Sequence, residues 1–453
     1  MVNEISASKA VPDAGAPAAS FNAVSSEDFN EFWRFPLAVL FVGILAGLSG
    51  MLLALLLHGL QHLAFGYSLD VIIGHVSFLE GVEASSSIRR VVVLLCCGAI
   101  AGVGWWTVYT FGRPLVSIRK AVAHPDAPMP VAETTGHALL QIITVALGSP
   151  LGREVAPREI GALIAGLLGR ALGLSREDLQ ILIACGAGAG LAAVYNVPFA
   201  GALFTLEVLL VTFRPRVAIA ALFTAAIASY VAWVGLGDES QYVLPPLDTG
   251  FSLVIWAAIG GPVFGCAGFY YRRIANWARE KAPRASPKII SYSIAAFGLI
   301  GLLSIGFPQL LGNGRGPIQL GLNGNITVGL AMALLFLKLF ATTLSLRAGA
   351  EGGLLTPGMT IGALIAIVLG GVWNAFGLPP IVVGASALIG AGAFLAVSMN
   401  MPLTAIALTF EFTGANRDFY IPILVAVSLA VAGAKLLENL EVAGAARRKA
   451  AIG

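Results

Sequence analysis

Charge is what this sequence has least of. Only 11% of its 453 residues are Asp, Glu, Lys or Arg, against about 25% in an ordinary soluble protein. Apolar residues make up 57% and the mean hydropathy is +0.86. Length alone, at about 150 residues per soluble domain, suggests three domains. Composition overrules that, because so few charges cannot cover a soluble surface of this size. Soluble multi-domain architectures are excluded, and an all-α polytopic membrane protein is expected. Cysteine is scarce too. Cys96, Cys97, Cys185 and Cys266 lie in apolar runs and form no C-x-x-C pair. A disulfide framework and a zinc site are excluded, and the four read as small buried hydrophobes. The net charge of +3 gives no sign of a nucleic-acid partner, and no cofactor is expected. The N-terminus lacks the basic-then-apolar layout of a signal peptide. Residues 1–31, rich in Ala, Ser and Pro, read as a disordered tail.

Apolar runs and glycine are what is present. A helix crossing a bilayer needs about 20 apolar residues. Candidate spans begin with Phe35–Leu63 and Val91–Phe111 and end with Ile421–Leu437. Several between them are much shorter, such as Ala138–Gly148, Ile160–Leu172 and Leu403–Phe412, and Gly or Pro interrupts them. Paired short segments point to half-helices meeting around a polar site inside the membrane. The 54 glycines suit helices packed closely in lipid. Residues 238–249 carry Asp238, Glu239 and Asp248 without a basic residue, whereas 272–288 carry six. The positive-inside rule places 272–288 in the cytoplasm and 238–249 outside. Arg447, Arg448 and Lys449, in a short tail over 441–453, fit the inside, and no regulatory domain is expected after them.

An internal repeat divides the chain into halves at 32–237 and 238–440. IGALIA occurs at 160–165 and again at 361–366. GAGAGLAAVYNVPFAGALFTLE at 186–207 matches GAGAFLAVSMNMPLTAIALTFE at 390–411, with Asn196/Asn400, Pro198/Pro402, Thr205/Thr409 and Glu207/Glu411 in register. Ala and Gly could coincide in any apolar sequence; Asn, Pro, Thr and Glu in register could not do so readily. Duplicated halves with broken helices are a transporter or channel layout.

A polar break precedes each IGALIA copy: GSPLGREVAPRE at 148–159 and GAEGGLLTPG at 349–358. Helix starts here leave backbone amides without intrahelical partners. They form an anion site that needs no Lys or Arg in lipid. The plainer reading, tight turns between spans, does not account for matching positions in both halves. Glu154 stands at the first break. Its carboxylate is attracted to the amides that would hold an anion, so it can take the anion's place until protonation releases it. The plainer reading of Glu154 is a surface helix cap. Arg153, Arg158 and Glu159 read as solvated or paired charges at the edge of the span. Glu207 and Glu411 read as structural acceptors for loop amides, and Lys338 and Arg347 as snorkelling cations. His58 and His62 share a helix face but have no further ligands nearby, so no metal is expected. Gly47-Leu48-Ser49-Gly50 matches the G-x-S-G of intramembrane serine proteases, but no His base is evident.

These motifs resemble the CLC family of chloride channels and chloride/proton exchangers from about residue 35 to residue 440. The resemblance rests on LGRE with a following Pro and IG at 151–161, on 186–207, on GGLLTP at 352–357 and on MPLTAIALTFE at 401–411. It implies two inverted halves with broken and re-entrant helices, a homodimer with one pore per subunit, and an anion held by backbone amides. Glu154 is then similar to the gating glutamate. Gly152, Arg153, Val155 and Ala156 flank it as amide donors, and Leu354 and Leu355 face the central anion. There are departures. Val155 and Ala156 stand where the family has Gly-Pro. Val116 and Ser117 are the nearest match to the anion-binding serine motif. No C-terminal pore tyrosine is found, and Val208 stands at the inner proton-relay position. These departures favour a passive chloride channel gated by protonation or displacement of Glu154, in a bacterial inner membrane. Chloride/proton exchange is the alternative, followed by fluoride or nitrate transport and, last, an intramembrane enzyme.

Overall fold

The computed structural model describes residues 26–68 and 77–450. Most of the tail expected at 1–31 lies outside these residues, although Ser26–Asn30 already belong to the first helix. Among the described residues the chain is almost entirely helical, with no strand. The first half comprises α1 (Ser26–Phe65), α2 (Phe78–Ala84), α3 (Ser87–Phe111), α4 (Ile118–Ala123), α5 (Val131–Ala146), α6 (Val155–Ala171), α7 (Arg176–Tyr195), α8 (Pro198–Phe204) and α9 (Pro215–Leu236). The second comprises α10 (Phe251–Glu280), α11 (Lys288–Leu303), α12 (Arg315–Leu322), α13 (Val328–Ala348), α14 (Leu355–Ala375), α15 (Val383–Ser398), α16 (Pro402–Thr413) and α17 (Tyr420–Ala450). Eight of the described helices are long and apolar enough to cross a membrane. This is an integral membrane protein with several spans. The basic stretch 272–288, expected as a loop, is largely the C-terminal end of α10, where Arg272 and Arg273 pair with Glu438 and Glu441 of α17.

The repeated residues have matching structural roles. Asn196 and Asn400 both adopt left-handed backbone, with φ of 55° and 53°. Asn tolerates this conformation better than most residues, so each ends a helix, and Pro198 or Pro402 opens the next where a missing N–H costs nothing. In the IGALIA copies, a Cβ on Gly161 would strike the Gly186 carbonyl, and one on Gly362 would strike that of Gly390. Glycine at these four places lets α6 pack on α7 and α14 on α15 at backbone distance.

Glu207 and Glu411 join the two halves reciprocally. Glu207 accepts from the Leu403 and Thr404 amides at 2.9 and 2.7 Å and from the Thr404 hydroxyl at 2.6 Å, at the start of α16. Glu411 accepts from the Phe199 and Ala200 amides at 2.9 and 2.7 Å, at the start of α8. Each carboxylate thus caps the helix start of the opposite half, where the macrodipole favours negative charge.

Candidate functional site

The two polar breaks meet. The Gly152 N–H donates to the Gly353 carbonyl at 2.7 Å, and the Gly353 N–H donates back at 2.8 Å. This two-bond clasp brings the N-termini of α6 and α14 together, although 201 residues separate Glu154 from Leu355. The last turn of α6 carries Arg170, which donates to the Pro125 carbonyl. Near the end of α14, Asn374 holds both backbone groups of Ile381.

Glu154 stands at the N-cap of α6 and is fully buried. Its side chain does not cap its own helix. It crosses to the other half, where Oε1 accepts from the Leu355 N–H at 2.7 Å. That amide opens α14 and has no acceptor within its helix. Oε2 lies 3.3 Å from the Tyr195 hydroxyl, which donates to it. Tyr195 Oη is also 3.1 Å from Thr356 Oγ1. The carboxylate rests against the bare Cα atoms of Gly152 and Gly353, and a Cβ at either glycine would overlap it. An acceptor-only, negatively charged group therefore fills a niche of backbone N–H, hydroxyl and glycine, which is the chemistry a small anion would meet there.

Other expected residues are placed as follows. Val155 and Ala156 form the first turn of α6, where amides lack intrahelical acceptors, and Pro157 removes an N–H that would also have lacked one. Leu354 is the buried N-cap of α14. The Gly152 amide is already engaged in the clasp, so in this conformation it is not free for an anion. Val116 and Ser117 are not brought to Glu154. Ser117 is exposed, its hydroxyl accepting from the Lys120 amide to cap the short α4, and Val116 packs in a separate apolar cluster. Val208 lies half-buried against the main core in a π-helical segment, Thr205–Leu210, that continues α8.

Two expectations about charges are corrected, those for Arg153 and Lys338. Arg153 is not at a solvated edge. It is buried, 5.1 Å over the Tyr195 ring, with Nη2 donating to Gln241 at 3.4 Å. Arg158 lies 4.8 Å over the Phe204 ring, an interaction that suits a planar guanidinium. Lys338 does not snorkel: it is 1% exposed, and its ammonium donates to the Leu310 and Gly312 carbonyls. The Ser49 hydroxyl donates to the Ala46 carbonyl of its own helix at 3.0 Å.

Above the carboxylate is a cavity of about 280 Å³ whose lining includes His58, Arg153, Tyr195, Gln241, Arg315 and Thr356. The acidic 238–249 segment folds over it. Tyr242 donates its N–H to the Phe412 carbonyl, and Gln319 engages both backbone groups of Val243. Sequence reasoning passed over Tyr195. Its one signal was that it directly precedes the repeated Asn, where the second half has Met399.

Comparison with known proteins agrees with this architecture. A family model described as voltage gated chloride channel matches residues 97–435, more than half of the chain. A ClcB-like protein of Ralstonia nicotianae is 30% identical over 65% of this chain and 70% of its own length. An H(+)/Cl(-) exchange transporter, ClcA of Citrobacter koseri, is 30% identical over 62% of this chain; the match spans 61% of that transporter. Among solved structures, a slow cyanobacterial Cl-/H+ antiporter superposes with a TM-score of 0.73 at 20% identity, covering 89% of this chain and 95% of its own. A CLC-type fluoride/proton antiporter superposes with a TM-score of 0.64 at 20% identity, covering 90% and 96%. At that identity the structural likeness speaks for the fold. The inverted halves, the clasped helix starts and the matched family model lead to one conclusion: this chain belongs to the voltage gated chloride channel (CLC) family of anion-transporting membrane proteins.

Proposed function

We propose that the protein exchanges a small anion, chloride in the first instance, for protons, with Glu154 as the group that both carriers share. The observation that carries this reading is the Glu154 carboxylate on the Leu355 amide. There it takes the place of an anion at the α14 N-terminus. Protonation removes the charge that holds it there, and an anion can then replace it. One site thus binds either the carboxylate or the anion, and the exchange of one for the other is tied to a proton. The sequence departures at positions 116, 117 and 208 favour a passive channel. The exchanger reading is preferred because the Glu154 carboxylate, fully buried, sits where an anion would and because relatives in the family are named as exchangers. A homodimer with one pore per subunit is the assembly that the family resemblance implies. The bacterial sources of the relatives support a bacterial plasma membrane.

The test is the reversal potential of the protein reconstituted in liposomes under opposed chloride and pH gradients. Exchange gives a potential that shifts with pH in a fixed ratio. A potential set by chloride alone would return the assignment to a passive channel. Glu154→Gln, which mimics the protonated carboxyl, should raise anion flux, flatten its pH dependence and abolish proton movement. An unchanged pH dependence would remove Glu154 from this role.

A further inference from the structure

An exchanger needs a proton donor between Glu154 and the cytoplasm, and position 208 offers only an apolar side chain. A different pair of titratable groups lies beyond the clasp along α6, toward the side that the positive-inside rule assigns to the cytoplasm. Glu159 is five residues beyond Glu154 on α6, about 7.5 Å along the axis at 1.5 Å per residue. Glu159 Oε2 is 2.9 Å from Nδ1 of His137 on α5. Gln141, fully buried, holds both: its Nε2 is 3.1 Å from Glu159 Oε2 and 3.0 Å from His137 Nδ1.

This geometry serves two protonation states. With the proton on the ring, Nδ1–H and Gln141 Nε2–H both donate to the Glu159 carboxylate. With the proton on Glu159, its O–H donates to Nδ1, and the Gln141 amide remains within reach of either partner. A 2.9 Å link that is satisfied both ways lets a proton change hosts without any side chain moving. The pair has polar surroundings. Gln141 Oε1 and the Nε1 of Trp105, whose ring stands edge-on to His137 at 6.5 Å, are buried without a protein partner. Such atoms in native interiors are ordinarily met by bound water. The Glu159 side chain is 15% exposed and the His137 side chain 9%.

The charged and titratable neighbours come from several elements. Arg158 precedes Glu159 on α6 and also feels the charges of Glu154 and Arg279. Glu351, just before α14, and Arg284, after α10, act on His137 and bond each other at 2.7 Å. Tyr109 of α3 donates to Glu351 at 3.0 Å and lies within the field of Glu159. The Arg284 side chain, bonded to Glu351, is 42% exposed and carries the cluster to the surface.

We propose that the His137–Glu159 pair, held by Gln141, is the inner proton-transfer station of this exchanger. The proposal rests on the exchange reading above. A proton from the cytoplasm enters the pair and leaves Glu159 as a carboxylate. It is then accepted by the Glu154 carboxylate, which becomes a neutral acid and releases the Leu355 amide to an anion. One proton is passed on and no electrons move, between two residues about 7.5 Å apart along the α6 axis.

The experiment compares chloride-driven proton uptake with chloride flux in liposomes holding the wild-type protein, Glu159→Gln, Glu159→Asp or His137→Gln. Glu159→Gln should cut proton uptake at least tenfold while chloride flux stays measurable, and Glu159→Asp should retain coupling. His137→Gln keeps a donor to Glu159 but removes the second proton host; it should slow proton uptake by a similar factor, and it decides the question if Glu159→Gln does not fold. A pair that only knits α5 to α6 would change stability and leave the proton-to-chloride ratio untouched. Wild-type coupling with the same ratio in Glu159→Gln or His137→Gln overturns this proposal and leaves exchange standing. No proton uptake by the wild type overturns the exchange reading, and this proposal with it.

Discussion

Replacing Tyr195 with Phe removes one hydroxyl from the bottom of the cavity and leaves the ring under Arg153. That hydroxyl donates to Glu154 Oε2 at 3.3 Å. A hydrogen bond to a charged group contributes about 1.5–3 kcal/mol, and the long distance puts this one at the lower end. At about 1.4 kcal/mol per tenfold, the balance between seated and displaced carboxylate should move roughly tenfold toward displacement. Thr356 keeps its own hydroxyl, so the niche does not become apolar. Chloride efflux from liposomes at fixed pH measures the effect. Tyr195→Phe should raise efflux by about that factor wherever displacement limits the rate. The decisive control is a double-mutant cycle with Glu154→Ala. If the hydroxyl acts on the carboxylate, it has nothing to hold once the carboxylate is gone, and Tyr195→Phe should then change efflux by less than about twofold. An equal increase in both backgrounds would mean that Tyr195 acts on the anion or on the shape of the pore and not on the carboxylate.

Two further outcomes follow from the packing. Gly353→Ala puts a methyl group where the carboxylate now rests. It should weaken chloride binding at least tenfold by titration calorimetry even in the Glu154→Ala background, and normal affinity there would mean that the anion does not use this niche. Glu207→Ala and Glu411→Ala each uncap a helix start in the opposite half. Each should cost about 1–2 kcal/mol, read as lowered thermal stability in detergent. A loss in only one of the two would contradict the reciprocal arrangement.

Much of the fold was legible because it rests on local residue chemistry. Low charge and long apolar runs require a membrane. Asn followed by Pro two positions later marks a left-handed stop and a new helix start, and the same signature 204 residues on marks a second copy. The glutamate closing each repeat could be read as an acceptor for amides. Which amides it would meet could not be read, because the partners lie 196 and 197 residues away for Glu207 and 211 and 212 away for Glu411.

Charges were where local reading failed. Arg153 and Lys338 look like edge or snorkelling residues from their flanks, yet both are buried. Their compensation comes from groups distant in sequence: the Tyr195 ring and Gln241 for Arg153, and two carbonyls ahead of α12 for Lys338. His137 and Glu159 showed no sign of belonging together, because their pairing depends on the crossing of α5 and α6. The membrane class, the duplication and an acidic residue at a broken helix can all be read from residue order. That the carboxylate lies on the other half's helix start, with Tyr195 against it, emerges from packing. An amide at a helix N-terminus can bind a charge from any part of the chain, so its partner is chosen by packing and not by spacing.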